Sequence, residues 1–370
     1  MIFAPKKRIG LSFKPNSDGG EFAADYLLDI EFSMDFSSFL CSLSDSSVSF
    51  VDCDSLSVIS LFKAHNDRIN SIEKSRLSPF QFLTASSDKF VHRWDLRSKS
   101  PPVLTIKRDL EIFGVSGGVD DVLIAVSGGS SIHFYDTRYI GESIGDYSDC
   151  HSDTISQLKF NPIKPYILLS GGEDGLVCSY DTSIGVGENA IISICNTDAP
   201  IQRMCFFGDR SEGILCLSGN ETMTAWHFPS AQRLGTYMDV RESHGLDYVV
   251  DGWYDVSTDQ LFALGGTHNG DGKVLLLDPS TSTVTCQLQQ GHSSTIRCAK
   301  TRGGRELSGG PSPTLLVSGA EDGRLCSWDL SNPIDPHSQG TANIQHVQAS
   351  TRSSTVSAKK SNADLRHRPY

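Results

Sequence analysis

The chain of 370 residues carries 44 Asp and Glu against 32 Lys and Arg, a formal net charge of −12. Such an excess argues against general affinity for nucleic acid or an anionic membrane, both of which select basic surface. No apolar run approaches the roughly 18 residues of a membrane span, and the N-terminal MIFAPKKRIGLSF lacks the apolar stretch of a signal peptide. Ten cysteines without a Cys-x-x-Cys pair predict free, largely buried thiols in a reducing, intracellular compartment, nuclear or cytoplasmic.

Residues 1–21 form an N-terminal arm in which Lys7 to Phe13 (KRIGLSF) alternates polar and apolar residues with period two, as a strand does. From 22 to 330 the chain is a succession of short β-branched and apolar runs separated by Gly, Asp, Asn and Ser turns, with no long segment of helical period, which predicts an all-β fold. The first unit runs through DYLLDIEFS, SFLCSLSD and VSFVDC. The second places His65, then Thr84 19 residues later, Asp88 at 23 and Trp94-Asp95 at 29. A third (DLEIFGVS, DVLIAVSGG, SIHFYDTR) ends on Tyr135-Asp136. The fourth repeats the offsets of the second with His151, Ser170, Asp174 and Tyr180-Asp181. In the fifth, Trp226 follows Asn220 at the spacing of Asp88 to Trp94. The sixth (LDYVVDGWYD, LFALGGT, KVLLLDP) lacks the signature and carries His244, Tyr248, Trp253 and Tyr254 instead. The seventh restores it with His292, Ser318, Asp322 and Trp328-Asp329, lengthened by a Gly/Pro/Ser-rich insertion around Arg302 to Pro313.

Residues 331–370 change character. Ten of the forty are Ser or Thr, Tyr370 is the only aromatic, and the charge is +3, leaving −15 on residues 1–330. So little apolar surface cannot offset the entropy of ordering, and a disordered tail is expected. Its basic cluster, Lys359-Lys360 with Arg366 and Arg368, reads as a solvated face or as a nuclear import signal. The acidic body points to protein partners with basic segments.

A period of roughly 40 to 45 residues, with His near the start and Trp-Asp at the end, resembles the WD-repeat family over residues 22–330. Within it, the sixth unit, from Asp239-Val240-Arg241-Glu242 to Gly265-Gly266-Thr267, resembles the WD repeat-containing protein 89 group. The resemblance implies a seven-bladed β-propeller. It also implies structural tetrads, in which each His reaches the turn between the second and third strands and bridges the Asp carboxylate and the Ser/Thr hydroxyl. The Trp indole, or the Tyr180 phenol, donates to that hydroxyl. The last unit has three strands before the Pro-rich SNPIDP, so the arm at Lys7 to Phe13 is expected to supply its outer strand and close the ring.

His, Ser and Asp are also the parts of a hydrolase triad. A catalytic site has no need of three copies around a ring, however, and here the hydroxyl is engaged by Trp or Tyr. GGTHNGDGK, residues 265–273, lacks the spacing and the Ser/Thr of a phosphate loop. Cys150-His151 has no partner pair at zinc spacing. Neither cofactor nor metal is expected, and the chain reads as a non-enzymatic interaction scaffold, one propeller within a complex. Two surfaces are candidates for partner contact. One is the sixth-unit set His244, Tyr248, Trp253 and Tyr254, whose aromatics are either interface anchors or the filling of a blade without its polar network. The other is FLTASSDKFVHRWDLR, residues 82–97, which resembles the box by which some WD-repeat proteins bind the propeller adaptor of a cullin-RING ubiquitin ligase. Arg97 matches its final Arg, Arg138 belongs to a weaker copy, and Arg93 stands where an apolar residue is usual. The resulting alternatives are a ligase substrate receptor and, by family analogy, an assembly factor in the nucleus or nucleolus acting in ribosome production.

Overall fold

Seven four-stranded antiparallel sheets follow one another along the chain, and each maps onto one sequence unit. The structure, a computed structural model, describes residues 1–11, 25–98, 101–139, 141–148, 150–185, 188–238, 240–302 and 315–331. The sheets are the blades of a propeller: blade one at 27–63, two at 69–107, three at 112–147, four at 155–196, five at 201–237, six at 248–288 and seven at 296–329. We label the strands of each blade a to d from the axis outward. The only α-helix among the described residues is the single turn Val240–His244. The expected tail, Ser331 apart, and the insertion of the seventh unit lie outside the described residues.

Burial follows strand position. In blade four, the buried residues of strand a (Ile155–Phe160), Ile155, Leu158 and Phe160, pack against blade three, while the half-buried Ser156, Gln157 and Lys159 line the axis. Strand b (Ile167–Gly172) is buried along its whole length, covered by blades on both sides. That sandwiching explains why the b segments read as continuous apolar and small-residue runs. Close approach of blades also makes glycine necessary. A Cβ on Gly171 would lie 2.8 Å from Ile201 Cγ2 of blade five, and one on Gly172 would lie 2.6 Å from both His151 Nδ1 and Asp174 Oδ1.

The ring is closed as expected, and then latched a second time. Lys7–Gly10 pairs antiparallel with Arg324–Asp329 and becomes strand d of blade seven. The backbone ladder continues from Leu11 N–H to Gly323 O at 2.9 Å; Phe13 lies outside the described residues. Upstream, Ile2–Phe3 adds in parallel to the outer strand Thr281–Leu288 and gives blade six a fifth strand. Phe3 drops into the core between blades six and seven with Trp253, Leu288 and Trp328. The arm thus completes blade seven and also bonds to blade six, which precedes it in the chain, an addition that two residues of sequence could not announce.

Candidate functional site

Antiparallel blades give the ring two chemically distinct faces. The b–c turns and d–a connections share one face, the a–b and c–d connections the other. The three tetrads lie on the first face. His65 Nδ1 reaches Asp88 Oδ2 at 3.0 Å, its Nε2 lies 2.7 Å from Thr84 Oγ1, and Trp94 Nε1–H donates to that hydroxyl at 2.9 Å. His151 repeats this with Asp174 at 3.1 Å and Ser170 at 2.7 Å, and the Tyr180 phenol stands in for the indole at 3.2 Å from Ser170 Oγ. In blade seven His292 lies 2.7 Å from Ser318 Oγ and 3.4 Å from Asp322, with Trp328 Nε1–H donating to the hydroxyl at 2.8 Å.

Donor and acceptor counting fixes the protons. The hydroxyl oxygen accepts from Trp, so its own hydrogen goes to Nε2, and the neutral ring's Nδ1–H goes to the carboxylate. Burial holds His65 below the ordinary imidazole range against the pull of Asp88. The Asp88 carboxylate is opposed by burial, yet hydrogen bonds from the Asn66 amide and His65 hold it below the usual range. These are the distances of a hydrolase triad, but Thr84, Ser170 and Ser318 are fully buried and each hydroxyl is already bonded on both sides. The geometry pins a turn and offers no nucleophile to a substrate.

The sixth-unit aromatics are not brought together on a surface, which corrects that candidate patch. Trp253 is 9% exposed and stacked on Phe262 at 5.7 Å. Tyr254 is buried and donates to Asp259. Tyr248 is half-buried: its hydroxyl accepts from Ile296 N–H of blade seven at 2.7 Å and donates to Thr267 O. His244 is half-buried against Ser282 at 2.8 Å. Blade six has no tetrad, and aromatic packing with a cross-blade phenol occupies its place. A related substitution marks blade five, where Cys216 stands ten residues before Trp226 and the indole turns to Thr224 Oγ1 at 2.9 Å.

Arg97 and Arg138 do share a face, that of the a–b and c–d connections on adjacent blades. Each folds back on the Asp two residues earlier, Arg97 Nε to Asp95 Oδ1 and Arg138 Nε to Asp136 Oδ1, both at 2.9 Å. The pairing with Arg138 lowers Asp136 to about 2. The guanidinium groups remain open to solvent, with side chains 61% and 75% exposed. Arg97 also lies over the Phe80 ring at 5.3 Å. Exposed Leu77, Phe80, Tyr139, Ile163, Tyr166 and Ile184 stand on the same face of blades two to four.

Sequence reading missed the polar lock beneath this face. Asp120 and Asp121 both adopt left-handed backbone (φ 50° and 54°), which turns the buried Asp121 carboxylate toward blade two. There it accepts from Ser75 Oγ and from the amides of Arg76 and Leu77. Arg76 in turn donates to Gly117 O at 2.8 Å, Phe160 O at 3.0 Å and Asn161 O at 3.2 Å, tying blades two, three and four. Arg93, the departure from the ligase box, donates to Asp121 O at 2.6 Å. Nothing in a lone Ser-Arg or Asp-Asp pair signals contacts across some 45 residues.

The axis holds a cavity of about 200 Å³ lined by strand a of all seven blades. Its loop-level lining residues, Phe36, Arg76, Pro162 and Ser211, all belong to a–b connections, so its mouth opens on the Arg97 face. Three ion pairs cross the wall: Arg203 to Asp29 at 3.1 Å, Lys74 to Glu31 at 3.5 Å and Lys300 to Asp251 at 3.5 Å. Burial pushes Glu73 up to about 7 while it accepts from Ser116 Oγ and Gly117 N–H.

Comparison with known proteins gives the same partition of the chain. The family model "WD domain, G-beta repeat" matches residues 56–95, 141–181 and 282–329, and each match contains one complete tetrad. The chain carries WD repeats and folds as a seven-bladed β-propeller. It is 28% identical over 339 residues to WD repeat-containing protein GTS1 of Arabidopsis thaliana, covering 87% of this chain and 85% of that protein. It is 25% identical over 296 residues to the WD repeat-containing protein 89 homolog of Dictyostelium discoideum, covering 77% and 78%. A chain in the crystal structure of the mitotic checkpoint complex superposes with a TM-score of 0.67 at 15% identity, over 88% of this chain and 92% of that one. That likeness is one of fold.

Proposed function

We propose that this WD-repeat propeller is a non-catalytic scaffold that holds protein partners within an intracellular complex, through the face of the a–b and c–d connections. The observation that carries this reading is the contrast in side-chain commitment. The three histidine networks use their hydroxyls internally, whereas the opposite face of blades two to four leaves two guanidinium groups and several large apolar side chains in water. Exposed apolar surface bordered by polar groups is what a docking site requires. Affinity purification of the tagged full-length chain with quantitative mass spectrometry tests the reading: a partner should be retained at near-stoichiometric amount by the wild type, and its absence would reject the scaffold role.

A second reading is favoured by the shared rim of Arg97 and Arg138. Two adjacent arginines held in the same conformation by Asp95 and Asp136 suit an acidic protein surface, and the adaptor of a cullin-RING ligase is the partner that their sequence context suggests. Recovery of that adaptor in the same purification is the test. Residence in the nucleus or the cytoplasm, and a part in nuclear or nucleolar assembly, belong to this proposal and are read by imaging the tagged protein.

A further inference from the structure

Among the described residues, the wall of the axial cavity carries a lysine that has no hydrogen bond and no close ion pair. Glu31 and Asp251 each have a basic partner on the adjacent blade, in Lys74 and Lys300, and Asp29 pairs across the axis with Arg203 of blade five. Arg76 is fully occupied by backbone carbonyls. Lys159, on strand a of blade four, lines the same cavity and forms neither a hydrogen bond nor an ion pair with any described residue, although it is near enough to Asp251 to help keep that carboxylate ionised. The remaining acid, Glu73, is already satisfied by the Ser116 hydroxyl and the Gly117 amide. Of the aromatic residues along the lining, Phe36 and Phe206 are half-buried, whereas Phe32, Phe160, Trp253 and Tyr254 are packed into the blade cores.

We infer that the cavity receives a carboxylate-bearing side chain from an acidic segment of a protein partner, with Lys159 as its counter-ion. Size agrees, since 200 Å³ takes one side chain and excludes a folded element. Charge agrees twice over: an ammonium without a hydrogen bond or close ion pair, set near the mouth end of strand a, attracts an anion, and Arg97 and Arg138 stand on the face onto which the mouth opens. The body of the protein is acidic, so whole-molecule charge would select a basic partner; the local field at this mouth selects the opposite sign. An ion pair inside a narrow, partly desolvated cavity is also screened less than one on the open rim.

This inference rests on the scaffold reading, and its test separates the two. Random twelve-residue peptides are selected on the immobilised full-length protein, and the tightest binders are measured by fluorescence anisotropy against wild type, Lys159→Ala, Lys159→Gln and, on the opposite face, Lys89→Gln. The expected outcome is enrichment of Asp and Glu. Both Lys159 variants should weaken binding at least tenfold with an unchanged unfolding midpoint, and Lys89→Gln should leave it unaltered. Selection of basic or neutral peptides, an absence of binders, or equal binding by the Lys159 variants would overturn it. In the affinity purification, a partner kept equally by wild type and Lys159→Gln rejects the cavity as its site while leaving the scaffold standing. No partner on the wild type rejects the scaffold itself.

Discussion

On the face of the b–c turns, His151, Asp174 and Ser170 bond to one another, while on the face of the a–b turns Arg97, Arg138 and Lys159 keep donors for something outside the chain. Both faces belong to the same seven sheets. What differs is reciprocity: each tetrad donor has its acceptor within the blade, and each hydroxyl is used twice. A ring needs its turns fixed on one side only, because pinning the b–c turn sets the register of strands b and c and leaves the a–b and c–d connections free to vary. Histidine networks therefore mark where the architecture is secured, and their absence on the opposite face marks where binding can be built.

The largest expected effect cuts across that distinction. Deleting Met1 to Leu11 removes the outer strand of blade seven, the fifth strand of blade six and the buried side chains of Phe3, Ile9 and Leu11. At about 1.5–3 kcal/mol for each large apolar side chain, the loss is roughly 5 kcal/mol or more. Thermal unfolding should show the whole ring destabilised in one transition, and an unchanged midpoint would mean that the arm is not the closing element. Next comes Asp121→Ala, which strands the Ser75 hydroxyl and the amides of Arg76 and Leu77 and should cost about 3 kcal/mol. If it proves as mild as a surface change, the lock beneath the binding face is not structural and the comparison between the faces fails.

His151→Ala should cost about 1–3 kcal/mol by leaving Ser170 and Asp174 without their partner. No esterase or amidase activity should be present to lose, and hydrolysis that vanished with the substitution would restore the triad reading. The tetrad face should carry the part of the pH dependence that is lost on acidification, while Glu73, pushed up to about 7 by burial in the cavity wall, contributes stability that is lost as pH rises toward 7. His65 and its stacking neighbour His92, 4.7 Å away, titrate below an unfolded imidazole; burial and the nearby His65 charge lower His92 to about 4. The unfolded chain thus binds protons first, so their contribution is fully present above about pH 6.5 and declines as pH falls toward their folded values. Asp88, Asp174 and Asp322 are held low in the fold, and theirs is lost only below about pH 4. Unfolding midpoints followed from pH 8 to below pH 4 should therefore show the histidine loss first and the carboxylate loss only below about pH 4, and His92→Gln should reduce the first.

Repetition made the fold legible. The tetrads of blades two, four and seven lie in one face because their sequence offsets match the b–c geometry, and the residual spacing left room for four blades without them. The closing strand was legible at Lys7 for a similar reason: a period-two run stood where a blade lacked its fourth strand. What sequence could not supply was partnership across blades. Trp253 and Tyr254 looked like surface anchors because their blade lacks a polar network, yet that same lack is why its core fills with aromatics. Asp121, Arg76 and Lys159 carry no local signature, since their meaning depends on which neighbours the ring sets beside them.

The smallest effect on stability should accompany the sharpest test of the binding face. Arg97 and Arg138 are exposed and form their ion pairs with the Asp two residues before them, in an Asp-x-Arg turn that Asp181 and Asp329 reproduce with Ser183 and Ser331. Since Ser serves the turn equally well, the turn itself does not require arginine at either position. The double substitution Arg97→Ala/Arg138→Ala should then shift the unfolding midpoint by no more than roughly a degree, as exposed ion pairs contribute little. Partner retention should respond differently, because a guanidinium fork grips carboxylates with a directionality that a lysine could not replace. Loss of the partner from the double variant, with Arg97→Lys/Arg138→Lys only partly restoring it, would assign that grip to the rim. Full retention by the alanine variant would confine recognition to the cavity or move it off this face, and it would remove the ligase adaptor from consideration.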